Sequence, residues 1–142
     1  MPTITSKTSI VVNAQNLAQA QQYLKQNLPA ALRAHPPSLE ELRPGTVVLR
    51  QAMHTGLAQN NGQLCCSTFT ALTCFVMQLA HLDVPELAVQ TCNTSLANKP
   101  SGDSITIHGS TLRRGRSLIF GEVKAYDEHM QLLAHSTCTF SL

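Results

Sequence analysis

The stretch CCSTFTALTCFVMQLAHL, residues 65–82, contains no Asp, Glu, Lys or Arg and no Gly or Pro. It is apolar or small nearly all round, the mark of a helix buried on most of its surface. Such a helix needs an environment that wraps it. Asp83 and Pro85 close it, and four strand-like segments follow at about 86–97, 103–113, 117–127 and 131–141. The turns between them, NKPSGD at 98–103, RRGR at 113–116 and DEH at 127–129, are short enough for antiparallel hairpins.

Upstream, TVVLRQAM at 46–53 reads as a further strand, and HTGLAQNNG at 54–62 as the loop joining it to the helix. One helix covers a face of such a sheet only if the sheet curls round it, so the order strand, long apolar helix, four antiparallel strands predicts an α+β hot-dog fold. In the last strand Leu132, Ala134, Cys138, Phe140 and Leu142 share one face, while His135, Thr137 and Thr139 share the other. NAQNLAQAQQYLKQNL at 13–28 places Leu17, Ala20, Tyr23 and Leu24 on one stripe of an amphipathic helix, with Asn13 as its N-cap. PPSLEEL at 36–42 suits a short helix opened by a Ser38–Glu41 capping box and ended by RPG at 43–45. The chain thus reads as one domain, 1–142, with a helical extension over 1–43 and the hot-dog core over 44–142.

Composition narrows the function classes. With 142 residues the chain buries a core without disulfide or metal staples. Charged residues make up only 13%, which suggests that a partner subunit covers part of the surface. A formal charge of +2 is too small for the dense basic face of a nucleic-acid binder. Thr73, Gln78 and His81 interrupt the best apolar run well short of a membrane span, and no secretory leader pattern is present, so a soluble cytoplasmic protein is expected. The five cysteines, at 65, 66, 74, 92 and 138, lack CxxC spacing and read as reduced thiols rather than a zinc site. His108, His129 and His135 have no metal spacing either, so neither metal nor cofactor is expected.

From about Gly45 onward the sequence resembles the PaaI-type hot-dog thioesterases. The resemblance rests on GQLCCSTFTALTC and, more closely, on SGDSITIHGSTLRRGRSLIFGEVKAYDEHMQLLAHSTCTFSL. In that family a Gly-x-x-His-Gly-Gly element opens a helix that carries an Asp or Glu about two turns in. Gly62 matches the family glycine, Cys65 stands where the His stands, Cys66 and Ser67 replace the two glycines, and Cys74 takes the place of the acid. Gln59 corresponds to the polar loop residue, with Asn60 and Asn61 close enough to compete.

The resemblance implies an acyl-CoA or acyl-thioester hydrolase. The Cys66 N–H would polarise the carbonyl and Gln59 or an Asn would hold water, with Cys74 in place of the carboxylate. It also implies a homodimer, or a dimer of dimers, with sites formed from both chains. Cys66, or Cys65 beside it, is the candidate nucleophile, because a helix N-terminus lowers a thiol pKa; His54 is the candidate base. Thr70, Thr73 and Gln78 share the helix and are candidates to orient water, and Arg113, Arg114 and Arg116 are candidates for coenzyme A phosphates. No Asp or Glu lies between Glu41 and Asp83, so no register shift restores the acid short of Asp83 itself. A non-catalytic acyl-CoA binder, or a biosynthetic enzyme acting on a thioester with His54 as base, therefore stand beside hydrolysis.

Overall fold

The computed structural model describes residues 14–142. Helix α1, Ala14–Asn27, is followed by a 3-10 turn at Ala30–Leu32 and by strands β1, Ser38–Arg43, and β2, Thr46–Ala52. A second 3-10 turn, Thr55–Leu57, leads to helix α2, Cys66–Ala80. Strands β3, Ala88–Leu96, β4, Ser104–Arg114, β5, Leu118–Asp127, and β6, Leu132–Ser141, complete the chain. All six strands form one antiparallel sheet in the order β1-β2-β4-β5-β6-β3, with α2 against its inner face. This is the hot-dog architecture expected from the sequence. No helix among the described residues is long and apolar enough to cross a membrane.

The inner face is built by alternation. Val47 and Leu49 on β2, Ile105 and Ile107 on β4, and Ile119, Val123 and Ala125 on β5 are buried against Leu72, Val76 and Met77 of α2. Two glycines let the helix approach the sheet. A Cβ at Gly109 would meet Val76 Cγ1 at 2.2 Å, and one at Gly121 would meet Met77 Cε at 2.3 Å. On β6, Ala134, Ser136, Cys138 and Phe140 point inward and Thr137 outward. Where the register slips between Ala125 and Tyr126, Leu133 also turns in, while Leu142 lies exposed beyond the strand. In α1, Ala20 and Leu24 are buried, and Tyr23 stacks on Phe75 with ring centroids 5.5 Å apart. The N-cap assigned to Asn13 lies outside the described residues.

Two expectations are corrected. Residues 38–43 form an edge strand rather than a capped helix: pairing with β2 engages their backbone, Leu42 is buried, and Gly45 (φ 78°) makes the hairpin turn. The extension is therefore helical only upstream of Ser38. The turn at 98–103 is not a hairpin either. It carries the chain across the sheet, from β3 at the outer edge beside β6 to β4 between β2 and β5.

Candidate active site

The loop before α2 folds on itself. The Gln59 N–H donates to Gln63 O at 2.7 Å, the Gly62 N–H donates to Gln59 O at 2.9 Å, and Ala58 bridges Leu64. Gly62, at φ 91°, sits where a side chain would be strained. Asn61 Oδ1 accepts from the Gln63 N–H at 3.0 Å, a local turn of the kind Asn favours. The Gln59 carboxamide donates to Leu64 O at 2.9 Å, so its nitrogen staples the loop. Asn60 is exposed at the loop tip.

That loop delivers Cys65 to the N-cap of α2. Its N–H donates to Leu57 O at 2.6 Å, and its carbonyl accepts from the Phe69 N–H at 2.9 Å. The thiol lies 3.3 Å from Ser67 Oγ and is partly exposed. Hydrogen bonding from the Ser67 side chain, then from Thr68, lowers its pKa from 9.0 to about 7. A thiol so placed is half ionised near neutrality, and the thiolate is the nucleophilic form. Cys66 occupies the first helical position with its side chain exposed.

Cys74 faces the other way. It packs against the β6–β3 side of the sheet with Cys92 of β3 and Cys138 of β6, which are register partners. Burial, then the neighbouring Cys92, raises its pKa, and burial with Cys92 and Cys74 pushes Cys138 up to about 12. Cys74 therefore keeps its proton at neutral pH and does not stand in for a carboxylate as base. Beside this thiol group runs a hydroxyl chain: Thr70 Oγ1 lies 3.0 Å from Thr94 Oγ1, which lies 2.8 Å from Ser136 Oγ.

Other candidates are committed elsewhere. Thr73 is fully buried and donates to Phe69 O one turn back, at 2.9 Å. Gln78 holds the far end of α2, donating to Val84 O and accepting from the Leu87 N–H, both at 2.7 Å. His54 caps the 3-10 turn, its Nδ1 accepting from the Gly56 N–H at 3.1 Å, and its ring stacks on His35. Burial and then His35 lower its pKa. Its capping bond and its stack are to Gly56 and His35 rather than to the Cys65 or Cys66 thiols.

The arginine turn lies at the opposite pole. Arg114 makes a two-pronged pair with Asp83 just past the end of α2, at 2.7 and 3.3 Å, about 22 Å along the helix from Cys65. This pairing holds the Asp83 carboxyl below its usual range. Arg114, His81, Asp83, Thr111, Leu42 and Leu79 help to line a cavity of about 610 Å³ there. Arg113 and Arg116 are exposed beside it. Lys99, which the sequence did not single out, is close to the candidate site: a Cβ at Gly62 would meet its Cδ at 3.4 Å. The contact joins segments 37 positions apart, and no local pattern announces it. Among the described residues no group of three or more His, Cys, Asp or Glu has a metal-binding arrangement.

No protein-family model matches the sequence, and no curated protein does. Solved structures match over most of the chain. Zebra fish thioesterase superfamily member 2 covers 93% of this chain and 99% of its own at 18% identity and a TM-score of 0.75. The mouse thioesterase superfamily member 2 gives a TM-score of 0.80 at 15% identity, covering 92% of this chain and 99% of its own. A hypothetical thioesterase protein from Streptococcus pneumoniae, solved with coenzyme A, gives 0.67 at 14% identity, with 92% and 97% covered. By strand order, helix placement and these matches, the chain has the thioesterase-type hot-dog fold.

Proposed function

We propose that this protein acts on acyl thioesters, acyl-CoA foremost, as a hydrolase-like hot-dog protein in which Cys65 replaces the carboxylate route. The observation that carries the reading is the Cys65 thiol at the α2 N-terminus, with its pKa at about 7. The thiolate attacks the thioester carbon. The developing oxyanion is held by the Cys66 N–H at the positive end of the helix dipole, and collapse expels the coenzyme A thiolate. Water then cleaves the acyl–Cys65 thioester, releasing the carboxylic acid and the thiol. Ser67 and Thr68, which hydrogen-bond the Cys65 thiol, stand beside that water, and Gln59, Asn60 and Asn61 on the preceding loop are the candidates to hold it. The neighbour solved with coenzyme A supports the choice of ligand.

Arg114 is held by Asp83 far from Cys65, so phosphate contact by Arg113, Arg114 or Arg116 requires a ligand spanning the helix or a site completed by a second chain. Lys99 lies beside Gly62, in the loop that leads to Cys65. A second reading, binding without turnover, is favoured by the protonated Cys74.

Incubation with a panel of acyl-CoA thioesters, following thiol release and intact mass, separates the two. The expected outcome is an acyl adduct on the wild type, lost in Cys65→Ala and kept in Cys66→Ala. Acyl-CoA that raises the Tm without adduct or thiol release leaves the binding reading and removes catalysis. Cys74→Asp places a carboxylate against Cys92 and Cys138, and a stability loss of roughly 1–3 kcal/mol is expected from its desolvation.

A further inference from the structure

Among the described residues two buried side-chain atoms lack a hydrogen-bond partner, Gln51 Oε1 and His54 Nε2, and both residues contact His35. Gln51, at the end of β2, is fully buried. Its Nε2 donates to His35 O at 2.6 Å and to Ala52 O at 3.1 Å. Both neighbours are carbonyls, which fixes the amide orientation and leaves the oxygen as an acceptor. The His54 ring stacks on the His35 ring with centroids 4.6 Å apart. Its Nδ1 is occupied as an acceptor by the Gly56 N–H, so in the neutral ring Nε2 carries the proton and is a donor.

One orphan is thus an acceptor, the other is a donor, and both side chains close on His35. Only three positions separate them, about 10 Å of extended chain. We infer that this junction binds one internal water molecule, which accepts from His54 Nε2–H and donates to Gln51 Oε1. A group that both donates and accepts is required, and the burial of both atoms restricts it to the smallest such molecule. Leaving both atoms unmet costs more than immobilising one water.

The water ties the end of β2 to the turn that seats Cys65, and Gln51 Nε2 extends the link to the segment before β1 through His35 O. His35 belongs to that segment, and His54 caps the turn whose Leu57 carbonyl receives the Cys65 N–H. Thr68 reinforces the turn through Gly56 O at 3.3 Å.

A high-resolution crystal structure of the full chain, with long-range ¹H–¹⁵N spectra of its histidines in solution, tests the assignment. The expected result is one ordered density peak within hydrogen-bond distance of both atoms and a neutral His54 protonated at Nε2. His54→Asn, which keeps an oxygen for the Gly56 N–H but has no Nε2–H, should lose the peak and lower the Tm. A direct bond between His54 and Gln51, separate waters on each, or a ring protonated at Nδ1 would overturn the inference. The wild-type density and spectra decide the matter even if the variant fails to fold.

Discussion

Cys65 and Cys74 are the same residue type nine positions apart, and their surroundings give them opposite chemistry. Cys65 meets hydroxyls and free N–H groups at a helix end, which favour the anion; Cys74 meets apolar atoms and two further thiols, which favour the neutral form. The folded-state pKa of Cys65 lies below its ordinary value, so its thiolate forms on the acid side of an ordinary thiol. Alkylation by iodoacetamide at this position should therefore rise with a midpoint near pH 7 and level off by about pH 8, where an exposed thiol is still gaining rate. Mass-resolved labelling of the wild type against Cys65→Ser measures it; a site whose rate climbs without inflection until pH 9 contradicts the assignment. That thiols occupy positions 65 and 74 was legible in the sequence. That a thiol at the helix start is the candidate nucleophile was legible too; that Cys65 rather than Cys66 is the thiol hydrogen-bonded by Ser67 and Thr68 was not, because it depends on the geometry of the cap.

At the scale of the elements, α2 was readable because an uncharged run with no Gly or Pro has few alternatives, and β4–β6 because period-two alternation is strong in them. β1 was misread for a physical reason. Ser38 and Glu41 carry a local capping pattern worth about 1 kcal/mol, whereas the ladder with β2 engages the backbone of the whole segment and buries Leu42. The packing of α2 on the sheet makes a testable contrast. Gly109→Ala drives a Cβ into Val76, a β-branched side chain with a stiff χ1, and should cost roughly 3 kcal/mol. Gly121→Ala meets the end of the flexible Met77 side chain and should cost nearer 1 kcal/mol. Chemical denaturation of the two variants measures the difference, and equal losses would mean that the helix shifts as a rigid body at both contacts.

At the scale of the molecule, the two sheet edges differ in kind. β1 carries Glu40, Glu41 and Arg43, charges that discourage strand addition. β3, AVQTCNTSL, has neither charge nor Pro, pairs among the described residues only with β6 and exposes Val89 at 48%. We expect a homodimer joined through β3, which would bring a second chain to the Thr70–Thr94 side of α2. Sedimentation should show a dimer for the wild type and a monomer when proline is placed at Thr91 or Cys92, since one of two adjacent N–H groups faces outward. A dimer that survives both substitutions uses another surface.

The sequence by itself determined the fold class, the central helix and the absence of a carboxylate in the segment where the resemblance expects one, because periodicity and residue type are local properties. Only the tertiary structure decided that β3 crosses to the far edge, that Cys74 meets Cys92 and Cys138, that Lys99 reaches Gly62 and that His54 turns toward His35. Each of these depends on contacts between residues distant in the chain, and short-range pattern carries no information about which distant groups meet.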